Sequence, residues 1–239
     1  MASPGTSRDK NAVSIIVCTK RRHCMDTLFH NYSRQNYRNK ELIVILNKQN
    51  LRVNEYKKAA KQYKNVRIYS LPEHISLGKC LNYGVALSKY GLIAKFDDDD
   101  YYAPGYLADS VQTMLKTNAD IVGKRAHYMY LNGKKQLLLR YPHQANRYVP
   151  LVQGATLLVK RHVFDRVSFP NRNQGECVKF CSISLAKGFK IYSGNPYNFL
   201  AIRRRNSIDH TWIVSDKALL TRNVKVLKVT NPKSFVSRS

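Results

Sequence analysis

A chain of 239 residues, 44% of them hydrophobic, carries enough apolar surface for one sizeable core, which excludes a disordered protein. Its 41 Lys and Arg against 15 Asp and Glu leave a formal charge of +26. Such a field draws nucleotides, nucleic acid, acidic polymers or an acidic membrane face without choosing among them. The five cysteines, an odd number with no CxxC, read as reduced thiols of a cytoplasmic protein and set zinc aside. No apolar run is long enough to span a bilayer.

The leader MASPGTSRDK (1–10) has no apolar pattern and is expected to be disordered. The run VSIIVC (13–18) is followed by TKRRH rather than by small residues suited to cleavage, so it reads as a strand and not as a signal-peptide core. Met25, Leu28, Phe29 and Tyr32 then mark a helix, ELIVIL (41–46) a second strand, and Tyr56, Ala59, Ala60 and Tyr63 a second helix. VRIYS (66–70), a helix carrying Leu77, Leu81 and Val85, and LIAKF (92–96) continue the alternation. The first two strands are nearly continuous in Val, Ile and Leu, the pattern of strands buried on both faces of a parallel sheet. A spacing of ~30 residues is that of a βαβ unit. The expectation is an α/β fold, a Rossmann-like, doubly wound, mostly parallel sheet.

The fourth strand runs into four consecutive aspartates, Asp97 to Asp100, in AKFDDDDYYAP. Two carboxylates about 4 Å apart repel by roughly 1 kcal/mol in water and about 4 near a protein surface. A solvated acidic loop is the bland reading. However, the run falls at the carboxyl end of a strand, where open α/β sheets bind their ligands.

Beyond Pro104, Leu107, Val111, Met114 and Leu115 share one helix face. Residues 121–141 read as two strands joined by Asn132-Gly133. A helix over 176–187 closes at Gly188, and KIYS and NFLAI follow as strands. This gives one domain over 11–220, with a regular half (11–103), a mixed half (104–220) and a basic tail (221–239).

Three stretches, in order, carry a resemblance: VSIIVCTKRR, SRQNYRNKELIVI, and LGKCLNYGVALSKYGLIAKFDDDDYYAPGYL. They are similar to the V-S-I-I-V-x-T start, the S-x-x-x-Q-x-Y-x-N-x-E stretch and the G-x-x-x-x-N-x-G…D-x-D-D-x-x-x-P-x-x-L segment of the family 2-like glycosyltransferases of the GT-A fold. The resemblance implies a transferase that moves a sugar from a nucleotide-sugar, a UDP-sugar, to an acceptor with inversion, using Mn²⁺ or Mg²⁺ on the D-x-D. On it, 11–103 is the nucleotide-sugar half and 104–220 the acceptor half.

Residue by residue, the resemblance makes Asp97 and Asp99 the candidate metal ligands, with Asp99 direct and Asp97 acting through water or on the ribose. Asp98 is a candidate for a ribose hydroxyl, and Asp100 is structural. Thr19 and Lys20 match the loop that closes over the nucleoside. Asn47, in LNKQN, stands where the family's uracil-binding Asp is usual, a departure that puts uridine specificity in question. Gly78, Lys79 and Asn82 match the motif that packs by the nucleotide, with Asn82 alternatively a polar residue on the helix side. Gly154 in VQGATLL is expected to let backbone approach the acceptor.

In GEC (175–177), Glu176 matches the carboxylate of a G-E-D-like motif, but Cys177 replaces the common Asp. Two readings stay open. Glu176 is the general base, taking the proton of the acceptor hydroxyl, or the catalytic carboxylate is lost and the chain is a catalytically impaired nucleotide-sugar or glycan-binding module. AIRRRNSIDHTW resembles a closing motif, with Arg203 and Arg204 as candidate clamps on the diphosphate and His210 as a candidate third metal ligand or, alternatively, a surface histidine beside Trp212.

Bacterial relatives of this type build cell-surface or spore-surface glycans. The resemblance therefore implies a glycan, lipid-linked or protein acceptor, and work in the cytoplasm, at the inner membrane surface or with a spore. An anionic acceptor, or peripheral contact with a membrane, would suit the charge. A nucleic-acid binder is the remaining reading, but the basic residues are scattered and no RRM, KH or zinc-type motif is present.

Overall fold

The structure, a computed structural model, describes residues 11–204, 213–220 and 223–238. Its first half alternates as expected: β1 (Val13–Thr19), α1 (Met25–Ser33), β2 (Lys40–Leu46), α2 (Val53–Ala60), β3 (Val66–Ser70), α3 (Leu77–Leu87) and β4 (Leu92–Phe96). β1 pairs in parallel with β2 on one side and β4 on the other, with Thr19 opposite Leu46 and Val17 opposite Phe96. This register brings the carboxyl ends of three strands to one edge, so Thr19, Asn47 and Asp97 leave the sheet together. Ile15, Leu42, Ile43, Val44 and Ile45 are wholly buried, which is why the middles of these strands are apolar, and the buried polar pair at their start is satisfied within the sheet, the Ser14 hydroxyl donating to Glu41 Oε1 at 2.6 Å.

The second half is mixed. β5 (Tyr101–Tyr102) precedes α4 (Tyr106–Thr117), then come β6 (Ile121–Gly123), β7 (His127–Leu131), β8 (Gln136–Arg140), β9 (Arg147–Tyr148), β10 (Leu158–Lys160) and α5 (Glu176–Ala186). β11 (Ile191–Ser193), β12 (Phe199–Arg203), α6 (Asp216–Leu219), β13 (Val224–Leu227) and α7 (Pro232–Val236) complete the described chain. The large sheet runs β3-β2-β1-β4-β10-β6-β11-β9, and a second sheet runs β13-β8-β7-β12-β5. Among the described residues no helix is long and apolar enough to cross a membrane.

Two expectations are revised. Residues 121–141 do not form one hairpin. β6 joins the large sheet, and only β7 and β8 form a hairpin, closed by Leu131 opposite Gln136. The loop is therefore 132–135, and its left-handed residue is Lys135 (φ 50°) rather than Gly133. The segment read as a basic tail is also folded, because β13 pairs antiparallel with β8 and Val236 of α7 is fully buried. The leader, 1–10, lies outside the described residues.

An aromatic cluster supports the aspartate turn from below. Phe96 stacks on Tyr102 with centroids 3.7 Å apart, and Tyr106 and Phe199 pack edgewise or tilted against Tyr102. The Tyr102 hydroxyl accepts from the Asp97 amide at 2.8 Å and donates to the Ala155 carbonyl at 2.7 Å. Asn31 brackets the turn, donating to the Asp100 carbonyl at 2.8 Å and accepting from the Tyr102 amide at 3.2 Å. A rigid hydrophobic base thus fixes a polar turn.

Candidate active site

The strand ends open into a cleft of about 840 Å³. Thr19, Lys20, Asn47, Asp97, Asp98, Asp99, Glu176 and Arg203, distant in sequence and all expected at the site, line it together. The four aspartates do different things. Asp98 is buried and anchored: the Thr19 hydroxyl donates to its Oδ2 at 2.5 Å, and the Arg21 guanidinium donates from Nε at 3.2 Å and also from Nη2. With both oxygens engaged, Asp98 holds the β1 loop, and a ribose hydroxyl could reach it only if Arg21 moved. Asp99 accepts from Arg21 Nη1 at 2.7 Å. Asp97 is the most open, with its side chain 39% exposed, and it pairs with the buried ammonium of Lys95. Asp100 faces inward and accepts the Ile202 amide at 2.9 Å, as a structural residue should.

The electrostatics follow from this packing. Burial pushes the Asp98 and Asp99 carboxyls up, and the Arg21 charge pulls them back toward ionisation. Asp100 lies well above the carboxylate range, from burial and then from its neighbours Asp99 and Asp97. Burial works against the charge on Lys95, yet Asp97, with Glu176 adding to it, outweighs burial and holds the ammonium above the ordinary lysine range. Lys95 therefore stands in the field of both walls of the cleft, the aspartate turn and the start of α5.

Glu176 is the first residue of α5 and is buried, following Gly175 in the left-handed region at φ 70°. The Cys177 thiol donates to Glu176 Oε1 at 3.2 Å, and burial pushes that thiol well up, so it is a proton donor to the carboxylate rather than a thiolate. Gly154 is explained by the same contact. A Cβ there would lie 2.9 Å from both Cβ and Sγ of Cys177, so glycine makes room for Cys177.

Four expected residues fall elsewhere. Lys79 is exposed and does not line the cleft. The Asn82 side chain is used up by the backbone of Phe169, donating to its carbonyl at 2.8 Å and accepting from its amide at 2.9 Å. Gly78 belongs with it, since a Cβ would sit 1.8 Å from the Pro170 carbonyl oxygen. The Leu77 amide donates to Asn173 Oδ1 at 2.9 Å, and the Ser76 hydroxyl donates to Asn171 Oδ1 at 2.7 Å. The motif expected to pack by the nucleotide therefore docks the start of α3 onto the segment that delivers Glu176. Arg204 turns toward Cys24, donating to its sulfur at 3.6 Å, and does not line the cleft. His210 lies outside the described residues. Asn47 lines the cleft but is tied to its rim, donating to the Pro72 carbonyl at 2.7 Å.

Sequence reasoning missed Arg21 and Lys95. Their signals were present: a basic cluster immediately after a buried strand, and a lysine inside the apolar LIAKF. Arg125, Arg140 and Tyr141 also line the cleft.

Among the described residues no group of three His, Cys, Asp or Glu side chains could hold a metal ion by itself. Asp97 and Asp99 offer hard oxygen donors at the mouth of the turn, which suits Mn²⁺ or Mg²⁺ held by two carboxylates plus the phosphates of a substrate. The donor set fits a cation shared with a diphosphate.

The family model described as Glycosyl transferase family 2 matches residues 14–173. The O-antigen biosynthesis glycosyltransferase WbnJ of Escherichia coli is 33% identical over 138 residues, a match covering 54% of this chain and 53% of that protein. Among solved structures, the S. aureus TarS 1–349 fragment superposes with a TM-score of 0.66 at 14% identity, over 80% of this chain and 60% of that one. The mannosyltransferase PcManGT from Pyrobaculum calidifontis, solved with GDP-Man and Mn²⁺, gives 0.63 at 14% identity, over 80% and 56%. The chain thus spans little more than half the length of these relatives. The two structural likenesses show a shared GT-A fold.

Proposed function

The chain belongs to glycosyl transferase family 2, and from that premise we propose that it transfers a sugar from a nucleotide-sugar to an acceptor hydroxyl, with inversion. The observation that carries this reading is the shared cleft. It sets Asp97 and Asp99, at the end of β4, in one cavity with Glu176 at the start of α5. Thr19, Lys20 and Asn47 line the nucleoside side, and Arg203 the diphosphate side.

A divalent cation held by Asp97 and Asp99 would neutralise the departing diphosphate. The protein's own groups do the rest. Glu176 accepts the proton of the acceptor hydroxyl as that oxygen attacks the anomeric carbon. The segment docked on α3 sets where that carboxylate stands. Lys95 balances charge between the two walls, and the apolar walls around Leu77, Leu81 and Leu151 limit access of water.

The test is thermal unfolding with a panel of nucleoside diphosphates, with and without Mn²⁺, on the wild type and Asp99→Asn, followed by release of nucleoside diphosphate from UDP-GlcNAc and GDP-mannose. A ligand at ~100 times its Kd stabilises by about 2.7 kcal/mol. A metal-dependent shift in the wild type alone supports the reading, and no shift with any nucleotide overturns it. One observation favours the impaired-module alternative, namely that Cys177 stands where an Asp is common. Nucleotide binding without transfer, with turnover restored by Cys177→Asp, would select that alternative.

A further inference from the structure

The cleft does not end at the aspartates. Past Gln153 and Leu151 its wall is made of Arg125, Arg140 and Tyr141, and a side cavity of about 360 Å³ continues from Arg125, Tyr141 and Leu151 to His143, Gln144 and Asn223. Arg125 lies over the Tyr141 ring with its guanidinium carbon 3.8 Å from the centroid, and Arg140 approaches the same ring at 5.2 Å. Tyr141 itself adopts the left-handed region at φ 49°, a conformation a bulky residue accepts at a cost. The Asn223 carbonyl holds it there, accepting from its amide at 2.7 Å.

Arg140 and Arg203 are 8% and 7% exposed, so the wall buries guanidinium charge rather than offering it to bulk water. The charges act on one another. Burial lowers the Arg140 pKa, Tyr141 opposes this and Arg125 adds to the lowering, while Arg203 is lowered by burial against the pull of Asp100 and Asp99, with Arg140 adding to the lowering. His127, opposite Arg140 on the neighbouring strand, adds no charge, because burial and then Arg140 hold its pKa at about 3. No Asp or Glu lines the described side cavity. Like charges crowded at low exposure are costly, and an anion relieves them. Arg203 lies within the field of Asp99 and Asp100 and so belongs to the donor side, whereas Arg125 lines the side cavity as well as the cleft.

We propose that this lobe is the acceptor subsite and that its acceptor is an anionic glycan, with a phosphate or carboxylate seated against Arg125 and Arg140 beside Tyr141. The inference rests on the glycosyltransferase reading, and it commits that reading to an acidic substrate class.

The test titrates three hexamers calorimetrically into the full chain, with and without UDP and Mn²⁺: hexagalacturonate, a glycerol-phosphate hexamer and neutral maltohexaose. The variants are Arg125→Gln, Arg140→Gln and, as a control for the overall positive field, the exposed Lys116→Gln. At least one acidic hexamer should bind ten-fold tighter than the neutral one, and the better of the two identifies carboxylate or phosphate as the recognised group. Arg125→Gln should weaken that binding five-fold or more and leave UDP affinity unchanged, while Lys116→Gln should change neither. Equal binding of acidic and neutral hexamers, no binding, or a loss shared by Lys116→Gln overturns the proposal. So does a loss of UDP affinity in Arg125→Gln, which would move this arginine to the donor. Should no nucleoside diphosphate of the panel bind while the acidic hexamer still does, the transfer reaction falls and the lobe stands as a site for an anionic glycan.

Discussion

Replacing Arg21 by Gln tests whether the aspartate turn is held by an internal cation. The Arg21 side chain is 21% exposed, and it donates to Asp98 twice and to Asp99 once. Its removal leaves Asp98, 2% exposed, with only the Thr19 hydroxyl among the side-chain donors described here. Breaking a fully buried ion pair costs about 3–5 kcal/mol. The partial exposure of Arg21 puts this case at the lower end, about 3 kcal/mol. For a chain of this size that is a fall of roughly 6–12 °C in Tm. Urea unfolding at pH 7.5 measures it, repeated with Mn²⁺ alone. A divalent cation replaces the missing charge, so Mn²⁺ should restore part of the loss in Arg21→Gln and do much less for the wild type. A loss below about 0.5 kcal/mol would place Arg21 among ordinary surface pairs and refute the idea that it holds the turn.

Three further outcomes are expected. Gly154→Ala should cost about 1–3 kcal/mol by overpacking. Combined with Cys177→Ala it should show a coupling near 1 kcal/mol in a double-mutant cycle, and simple additivity would mean the two do not compete for space. Asn82→Ala strips both partners from the Phe169 backbone and should cost about 2 kcal/mol. If the segment positions Glu176, kcat falls while KM for the nucleotide-sugar holds, and a change in KM alone would return Asn82 to the nucleotide. His127 has a pKa of about 3 in the fold, below its unfolded value near 6.5, so the unfolded chain binds the extra proton. The contribution is complete above pH 6.5 and is lost as pH falls, by ~2 kcal/mol at pH 5 at 1.36 kcal/mol per unit. His127→Leu should flatten that part of the stability–pH curve, and an unchanged slope would show that His127 takes up its proton in the fold.

The parts of the molecule legible in sequence are those where one local pattern has one physical cause. Strands buried on both faces must be continuously apolar, and VSIIVC and ELIVIL could be little else. The place of the aspartates at the end of a strand followed from that count. The missed parts depend on contacts no local pattern encodes. Gly78 and Asn82 stand at the expected motif spacing, yet what they touch is Pro170 and Phe169, far along the chain. β5 and β9 are two residues each, too short for any periodicity. β13 shows no alternation of burial, with Lys225 and Val226 both exposed and Val224 and Leu227 half-buried, and its pairing with β8 is long-range. Arg21 was visible as a charge, but its partners were not.

Four aspartates in a chain of charge +26 make sense once their compensation is traced. Arg21 answers Asp98 and Asp99, Lys95 answers Asp97, and the Ile202 amide answers Asp100. The two bonded cations, Arg21 and Lys95, thus answer three carboxylates and leave the aspartate turn one negative charge over, while the lobe beyond it, around Arg125 and Arg140, carries crowded positive charge. A diphosphate arriving alone would meet that surplus and gain little. Arriving with a divalent cation, it brings the positive charge that Asp97 and Asp99 can share. On this argument nucleotide affinity depends on metal, while acceptor affinity depends on salt mainly through the half-buried Arg125, since the buried Arg140, like a coordinated cation, is little screened by mobile ions.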